Sequence, residues 1–300
     1  MRKAFAARAA KRARILFKKI DSTLRGHVAA ELSSASRALP GTRPVLFTPA
    51  FPDQGRIVRG ARLQAGSGQP SGDLRALLAH AGLPASHIGL ATVRGRRPET
   101  ALRAALATGA RALVCDAETN ADLDALARAG LALRPRPLFV GSAGLARAIA
   151  RTLGRKRAAP VPATSWRPVV AVVGSASPVS VRQAQRLSRS RALGRSGVLV
   201  QMAWTRTSGP RDSPALRRLG RLVANAAPRV HYLLTGGETA RAVLDARGIR
   251  GLRLLGEVEP SVPFGMTREG ALVCTKAGAF GNADTLVRCV ARLKREMKRA

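Results

Sequence analysis

Ile15-Leu16-Phe17-Lys18-Lys19-Ile20-Asp21-Ser22-Thr23-Leu24-Arg25-Gly26 is the stretch on which the reading of this chain turns. Its first three residues form a short apolar run suited to a buried strand. That strand delivers a polar turn, Lys18 to Gly26. Val28 to Leu39 then reads as a helix ended by Pro40-Gly41. Strand, polar turn and helix in succession make the repeating unit of a parallel sheet covered by helices.

The unit recurs along the chain. Val45-Leu46-Phe47 reads as a strand and leads into the loop Pro49-Ala50-Phe51-Pro52-Asp53-Gln54-Gly55-Arg56. Residues 64–72 are rich in Gly, Ser and Gln and read as an exposed loop. Helices are expected over 74–81, 99–108, 121–129 and 145–153, and strands over 88–90, 112–116 and 138–140. After Pro- and Arg-containing residues, a second series begins with the strand Val169 to Val173. Strands at 198–200, 231–234 and 272–276 alternate with helices at 179–188, 215–226 and 240–247, and a last helix starts at Thr285. The fold class is therefore α/β, with two domains, each a largely parallel sheet flanked by helices. The expected boundaries are 1–155 and 168–300, with a linker over 156–167. Met1 to Arg14 reads as a basic surface helix, with the Arg-rich, acid-poor makeup of a transit peptide.

Charge is the unusual property. Lys plus Arg number 52 against 17 Asp plus Glu, a net charge of +35. That is the footprint of a nucleic-acid binder, yet the arginines are spread through nearly every segment and not gathered into one arm or tail. Two Trp and one Tyr leave little to stack on bases. An Arg/Ala-rich composition laid over an enzyme surface is favoured, and nucleic acid is not expected as a partner beyond nonspecific attraction. The same charge would steer a carboxylated or phosphorylated substrate. Three separated cysteines form no CxxC pair, and no His/Cys spacing suits zinc. No apolar run approaches the roughly 18 residues of a membrane span. A cytoplasmic location is expected.

Several strands end in Gly/Ser/Thr turns that open helices, at 141–144, 174–177 and 236–239. Such turns present backbone N–H groups and a helix dipole to an anion. Glycine also serves tight turns for structural reasons alone, so each turn has two readings. The 21–26 turn is different in kind. Within a few residues it groups a carboxylate, two hydroxyls and a guanidinium. Arg25 could clamp a carboxylate bidentately. Asp21 could bind sugar hydroxyls or act as a general base. The alternative is a simple helix cap with Arg25 solvated. Of the four histidines, His27 alone adjoins this turn; His80 and His87 read as exposed and His231 as packed.

Taken together, these residues resemble the four-carbon acid sugar kinase family. Lys18 to Gly26 is similar to its KKxDSTLRG signature, Pro49 to Arg56 to PAFPxxGR, and Val140 to Leu145 to VGSAGL. Gly174-Ser175 with Ser177-Pro178 resembles GSxSP, Gly236 to Thr239 resembles GGET, and Lys276 to Gly281 resembles K[SA]GxFG. The six stand in the family's order. The resemblance implies an N-terminal domain that binds a four-carbon sugar acid and a C-terminal domain that binds ATP. The implied reaction moves the γ-phosphoryl group to the terminal C4 hydroxyl of a tetronate or 3-oxo-tetronate, with Mg bridging the nucleotide phosphates and no metal held by the protein alone. By motif, Lys19, Asp21, Ser22, Thr23, Arg25, Gln54 and Arg56 would line the acid site, with Asp21 and Arg25 catalytic. Ser175, Gly236, Gly237, Glu238, Thr239 and Gly278 would line the nucleotide site. A homodimer is allowed for.

The chain also departs from the family pattern. It has no DDxTG, a motif expected on a first strand ahead of Lys18, and only 17 residues precede Lys18. The span between Gly174-Ser175 and Gly236 is short. The N-terminal domain is thus expected to be truncated, and an inactive relative is the alternative to an active kinase.

Overall fold

The computed structural model describes residues 13–39, 43–66, 70–154, 162, 164–194, 197–201, 214–226 and 229–297. The helix expected over Met1 to Arg14 and most of the expected linker lie outside these residues. The chain divides into two compact units, Met1–Lys156 and Arg157–Ala300.

In the first unit five strands are all parallel: β1 (Leu16–Lys19), β2 (Val45–Thr48), β5 (Ala85–Ile88), β6 (Ala112–Cys115) and β7 (Leu138–Gly141), in the spatial order β1-β7-β2-β6-β5. Central strands β2, β6 and β7 are buried along their whole length. This is why they read as continuous apolar runs and not as alternating ones. The crossovers are α1 (Val28–Ala38), α2 (Leu74–His80), α3 (Leu90–Val93), α4 (Pro98–Ala107) and α5 (Asn120–Ala132), and α6 (Ala143–Thr152) follows β7. α5 starts with a full capping box between Thr119 and Asp122, which satisfies two of the donors a helix start leaves open.

Two local expectations are corrected. The strand expected at 88–90 ends at Ile88, because Gly89 is the N-cap of α3. Part of the expected 64–72 loop is strand: β3 (Arg56–Arg59) and β4 (Arg62–Ala65) form an antiparallel hairpin. Its turn is held by Asp116, whose carboxylate accepts from the Gly60 and Ala61 amides at 2.8 and 3.0 Å. The acidic residue at the end of β6 is thus a turn anchor.

The second unit has six strands in the order β11-β12-β13-β10-β8-β9. β8 (Val169–Val173), β9 (Val198–Gln201), β10 (His231–Thr235) and β13 (Leu272–Lys276) are parallel; β11 (Arg253–Glu259) and β12 (Val262–Met266) add an antiparallel edge. Along β8 the side chains alternate between two cores. Val169, Ala171 and Val173 pack in a cluster that includes residues of α7 (Pro178–Arg189) and α10 (Thr285–Met297). Val170 and Val172 pack with residues of α8 (Pro214–Ala226) and α9 (Gly237–Ala246). Two-residue periodicity with both faces covered is the signature of a sheet sandwiched by helices. His231 is fully buried and its Nδ1 accepts from the Leu272 amide at 2.8 Å; burial lowers its pKa to about 4. It is neutral and structural. No helix among the described residues is long and apolar enough to cross a membrane.

Candidate functional site

In a parallel sheet the loops after each strand gather at one edge, where open α/β sheets bind ligands. In the first unit that edge carries the turns after β1, β2 and β7. The turn after β1 is organised by Asp21. Its Oδ1 accepts from the Thr23 amide at 2.9 Å and the Thr23 hydroxyl at 2.6 Å, and Arg25 reaches both carboxylate oxygens at 3.3 and 3.4 Å. Partial burial pushes the Asp21 carboxyl up, but the Thr23 donors and the Arg25 guanidinium outweigh it and hold the pKa at about 2. So low a value makes Asp21 an ionised organiser of the turn and a weak proton acceptor. Leu24 sits at φ 61°, a left-handed conformation that costs a leucine about 1–2 kcal/mol. Its amide is tied to the Asp21 carbonyl at 3.0 Å. Strain held in place by a dense local network is a mark of functional turns.

Arg25 is exposed and Ser22 is buried beneath the turn. Lys18 is buried and paired with Glu31 at 2.5 Å, so it is committed to the fold. Exposed Lys19 donates to the Ile20 carbonyl at 2.8 Å; partial burial lowers its pKa, with Asp21 opposing and Lys18 reinforcing.

Arg56 joins the turn from the loop after β2. Burial lowers its pKa, the Asp21 carboxylate raises it, and the Arg25 guanidinium lowers it. Arg56 therefore lies within electrostatic reach of Asp21 and Arg25. Its loop is tightly closed: Phe51 and Arg56 exchange backbone hydrogen bonds of 2.7 and 3.1 Å, with Gly55 at φ 66° between them. Arg56 also donates to the Gln54 carbonyl. Gln54 thus contributes its backbone to the arginine's position, and its side chain is half-buried.

The turn after β7 holds these two loops in register. The Gly141 carbonyl accepts from the Ile20 amide at 2.9 Å. Ser142 donates to the Ala50 carbonyl at 2.7 Å and caps α6 by accepting from the Gly144 amide at 3.2 Å. A Cβ on Gly141 would lie 2.6 Å from the Thr48 carbonyl oxygen, and one on Gly144 would lie 2.7 Å from that of Ala50. Of the two readings of this turn, the structure supports close packing. Asp53 adds a further tether through Asn120 at 2.6 Å and Arg147 at 2.8 Å.

In the second unit the ends of β8, β10 and β13 lie side by side, with Thr235 in register with both Val173 and Lys276. The turns that follow interlock. A Cβ on Gly278 would overlap the Ser175 hydroxyl and come within 2.8 Å of the Ser175 Cβ. A Cβ on Gly174 would overlap the Thr239 hydroxyl. Gly236, at φ 100°, is the N-cap of α9 and supplies no side-chain cap. Gly237 and Glu238 are exposed while Thr239 is buried against Gly174. The start of α9 presents backbone amides and the positive end of its dipole at the strand ends, a setting that suits a phosphate. All six residues assigned to this site by sequence belong to these three turns.

Sequence reasoning missed Lys276 as a member of this site. It is only 3% exposed, and its ammonium donates to the carbonyls of Ala277, Gly278 and Phe280 at 2.8, 3.0 and 3.1 Å. Burial lowers its pKa to about 8, against the raising influence of Cys289 and Glu259. Its place before the Ala-Gly pair was the available signal. The same loop is pinned by Ser180 on Gly278 and by Gln183 on Phe280 and Asn282. Lys276→Met is expected to destabilise the protein by about 2 kcal/mol, since it removes the ammonium's hydrogen bonds to three loop carbonyls, and a hydrogen bond to a charged group is worth about 1.5–3 kcal/mol. Chemical denaturation of the two proteins measures this. Among the described residues, no group of three or more His, Cys, Asp or Glu could hold a metal ion.

Comparison with known proteins agrees with this division. Residues 1–149 match the model of a sugar-binding N-terminal domain, and residues 204–286 that of a nucleotide-binding C-terminal domain. The chain is 37% identical to a D-threonate kinase of Cupriavidus necator, over 91% of this chain and 78% of that one. It is 32% identical to a D-threonate kinase of Bordetella bronchiseptica, covering 93% and 78%. A 3-oxo-tetronate kinase of Methylobacterium radiotolerans is 30% identical, covering 91% and 79%. Among solved structures, a Salmonella typhimurium LT2 protein presumed to be a tRNA synthase superposes with a TM-score of 0.73 at 20% identity, covering 92% of this chain and 80% of that one. A Haemophilus influenzae protein superposes with 0.67 at 20% identity, covering 94% and 82%. Those two likenesses bear on the fold alone. The identities to the curated kinases, together with the two matched domains, place this chain in the four-carbon acid sugar kinase family.

Proposed function

We propose that the chain is an ATP-dependent kinase that phosphorylates the terminal C4 hydroxyl of a four-carbon sugar acid, with D-threonate the first substrate to test. The observation that carries this reading is the Asp21–Arg25–Arg56 cluster. Two guanidiniums lie within electrostatic reach of one ionised carboxylate, on loops tied to the same strand end. Arg25 and Arg56 hold the acid's carboxylate, and Lys19 adds positive charge beside them. Thr23 and Asp21 keep the turn in shape, and the buried Ser22 supports it from below. Asp21 acts here by positioning Arg25.

The second unit fits a nucleotide triphosphate. The glycines at 174, 236 and 278 let the three turns close against Ser175 and Thr239, and α9 begins without a side-chain cap. Gly236, Gly237, Glu238 and Thr239 line the start of α9, while Ser175 and Gly278 form the facing wall. Bound Mg-ATP would supply the phosphoryl group and the cation that offsets its charge. The protein's own contribution is then to orient both reactants and to place cationic and N–H donors around them. Catalysis of phosphoryl transfer asks for positioning and charge stabilisation above all.

The test is direct. The chain is incubated with Mg-ATP and D-threonate, D-erythronate or a 3-oxo-tetronate. Acid-dependent ADP release and a new phosphomonoester at C4, read by phosphorus NMR, are expected. Absence of acid-dependent ADP release with every one of these acids would overturn the proposal and favour the inactive relative.

A further inference from the structure

At the edge of the sheet opposite the Asp21–Arg25–Arg56 cluster, the first unit has a cavity. It has a volume of about 440 Å³ and is lined by Arg43, Arg103, Arg111 and Arg134 together with the apolar residues Leu106 and Leu133. Arg43 enters β2, Arg111 enters β6, Arg134 precedes β7, and Arg103 lies on α4. Because these strands are parallel, the cavity sits at their amino ends, at the far edge of the sheet from the turns after β1, β2 and β7.

The walls are fixed. The Val45 amide donates to the Arg111 carbonyl at 2.9 Å, the Leu138 amide to the Pro44 carbonyl at 2.8 Å, and the Arg111 amide to the Pro84 carbonyl at 2.8 Å. The Arg134 guanidinium is oriented by the carbonyls of Leu131 and Leu133 at 2.9 and 2.8 Å. Among the described residues the Arg111 guanidinium donates to the Ser36 hydroxyl, at 3.3 Å. The Arg43 Nη1 is buried with no hydrogen-bond partner among the described residues.

No carboxylate neutralises this cluster among the described residues. In the first unit Asp21, Glu31, Asp53, Asp73, Asp116, Glu118, Asp122 and Asp124 all face basic partners elsewhere, and Glu99, one turn before Arg103 on α4, lines a different cavity beside Arg94, Arg96 and Arg128. Positive charge accumulates further at the rim. Burial and the proximity of Arg134 and Arg14 pull the Arg136 guanidinium below its ordinary range. A second cavity of about 440 Å³ shares Arg111 and adds Arg37 and His80.

Concentrated like charge is unfavourable unless something offsets it. An unpartnered buried guanidinium N–H is costly for a separate reason, since it has given up water without a replacement partner. A concave site with several guanidiniums and an apolar wall suits a small anion better than a flat polyanion track, and arginine forks match phosphate oxygens in pairs. We propose that this amino-end cavity binds a small, multiply charged phosphate compound, separate from the acid and nucleotide sites.

Inorganic pyrophosphate is the probe, titrated calorimetrically into the full chain. Two variants of equal net charge are compared with it: Arg43→Gln/Arg103→Gln in the cavity, and Arg96→Gln/Arg128→Gln outside it. Each lost charge-assisted contact is worth about a tenfold change in affinity. The expected result is a saturable binding component that weakens at least about tenfold in the cavity variant and is kept in the control. Thermal melting of both variants shows whether each is folded. Arg111→Lys, which keeps the charge but loses the fork, repeats the test if the cavity variant does not fold. The proposal is overturned if no saturable component depends on the cavity arginines, or if both double variants weaken equally, which marks net charge alone. It is also overturned if single-stranded oligouridylate binds through these arginines and pyrophosphate does not displace it.

Discussion

Replacing Arg25 with alanine is expected to lower kcat/KM for the sugar acid by about a hundredfold, since a fork to a carboxylate is worth about 1.5–3 kcal/mol. Arg25 is exposed and its loss leaves no cavity, so the melting temperature should hardly move. The effect should appear in steady-state kinetics with the acid varied, while KM for ATP stays constant. Arg25→Lys should restore little, because an ammonium keeps the charge and loses the planar fork. Arg56→Ala should show a loss of similar size. The double variant should lose less than the sum, because both guanidiniums feel the same Asp21 carboxylate and act on one ligand group. Full additivity would mean that the two arginines serve separate ligand groups.

Gly278→Ala is expected to raise KM for ATP by about ten- to a hundredfold while leaving KM for the acid unchanged, an order consistent with overpacking of about 1–3 kcal/mol. The added methyl would collide with the Ser175 side chain. Rotating the hydroxyl does not resolve this, since the Ser175 Cβ is also too close. The backbone of one turn must therefore move, and Lys276, Ser180 and Gln183 hold the Gly278 turn against moving. Nucleotide titration by calorimetry checks the weakening directly. Normal ATP binding by the variant would show that the turn yields and that Ser175 does not face the nucleotide.

Most of the central strands were legible because they are covered on both faces. Val169 to Val173 and Leu272 to Lys276 are expected and observed with the same ends. Strands at sheet edges or in hairpins were hidden. β11 and β12 contain Gly256 and Pro263 and expose much of β11, so their pattern looks like a loop. The β3–β4 hairpin depends on Asp116, more than fifty residues away in sequence, and no local signal announces it. The glycine turns were visible one by one, but their purpose was not. Gly278 needs to be small because of Ser175, and Gly174 because of Thr239. Only the parallel register of β8, β10 and β13 makes neighbours of them. Lys276 stands in sequence as the first residue of a turn, yet its burial under that turn belongs to the three-dimensional structure.

The clamp after β7 has a consequence for how preference among acids can change. Ile20 leans on the carbonyl of Gly141, and the carbonyl of Ala50 leans on the hydroxyl of Ser142. Two loops that are strangers in sequence are therefore jaws mounted on one hinge pin. Re-aiming one jaw drags the pin, and with it the other. For a change of acid in this chain, side-chain exchange on the jaws is the open route, and backbone remodelling of a single loop is the obstructed one.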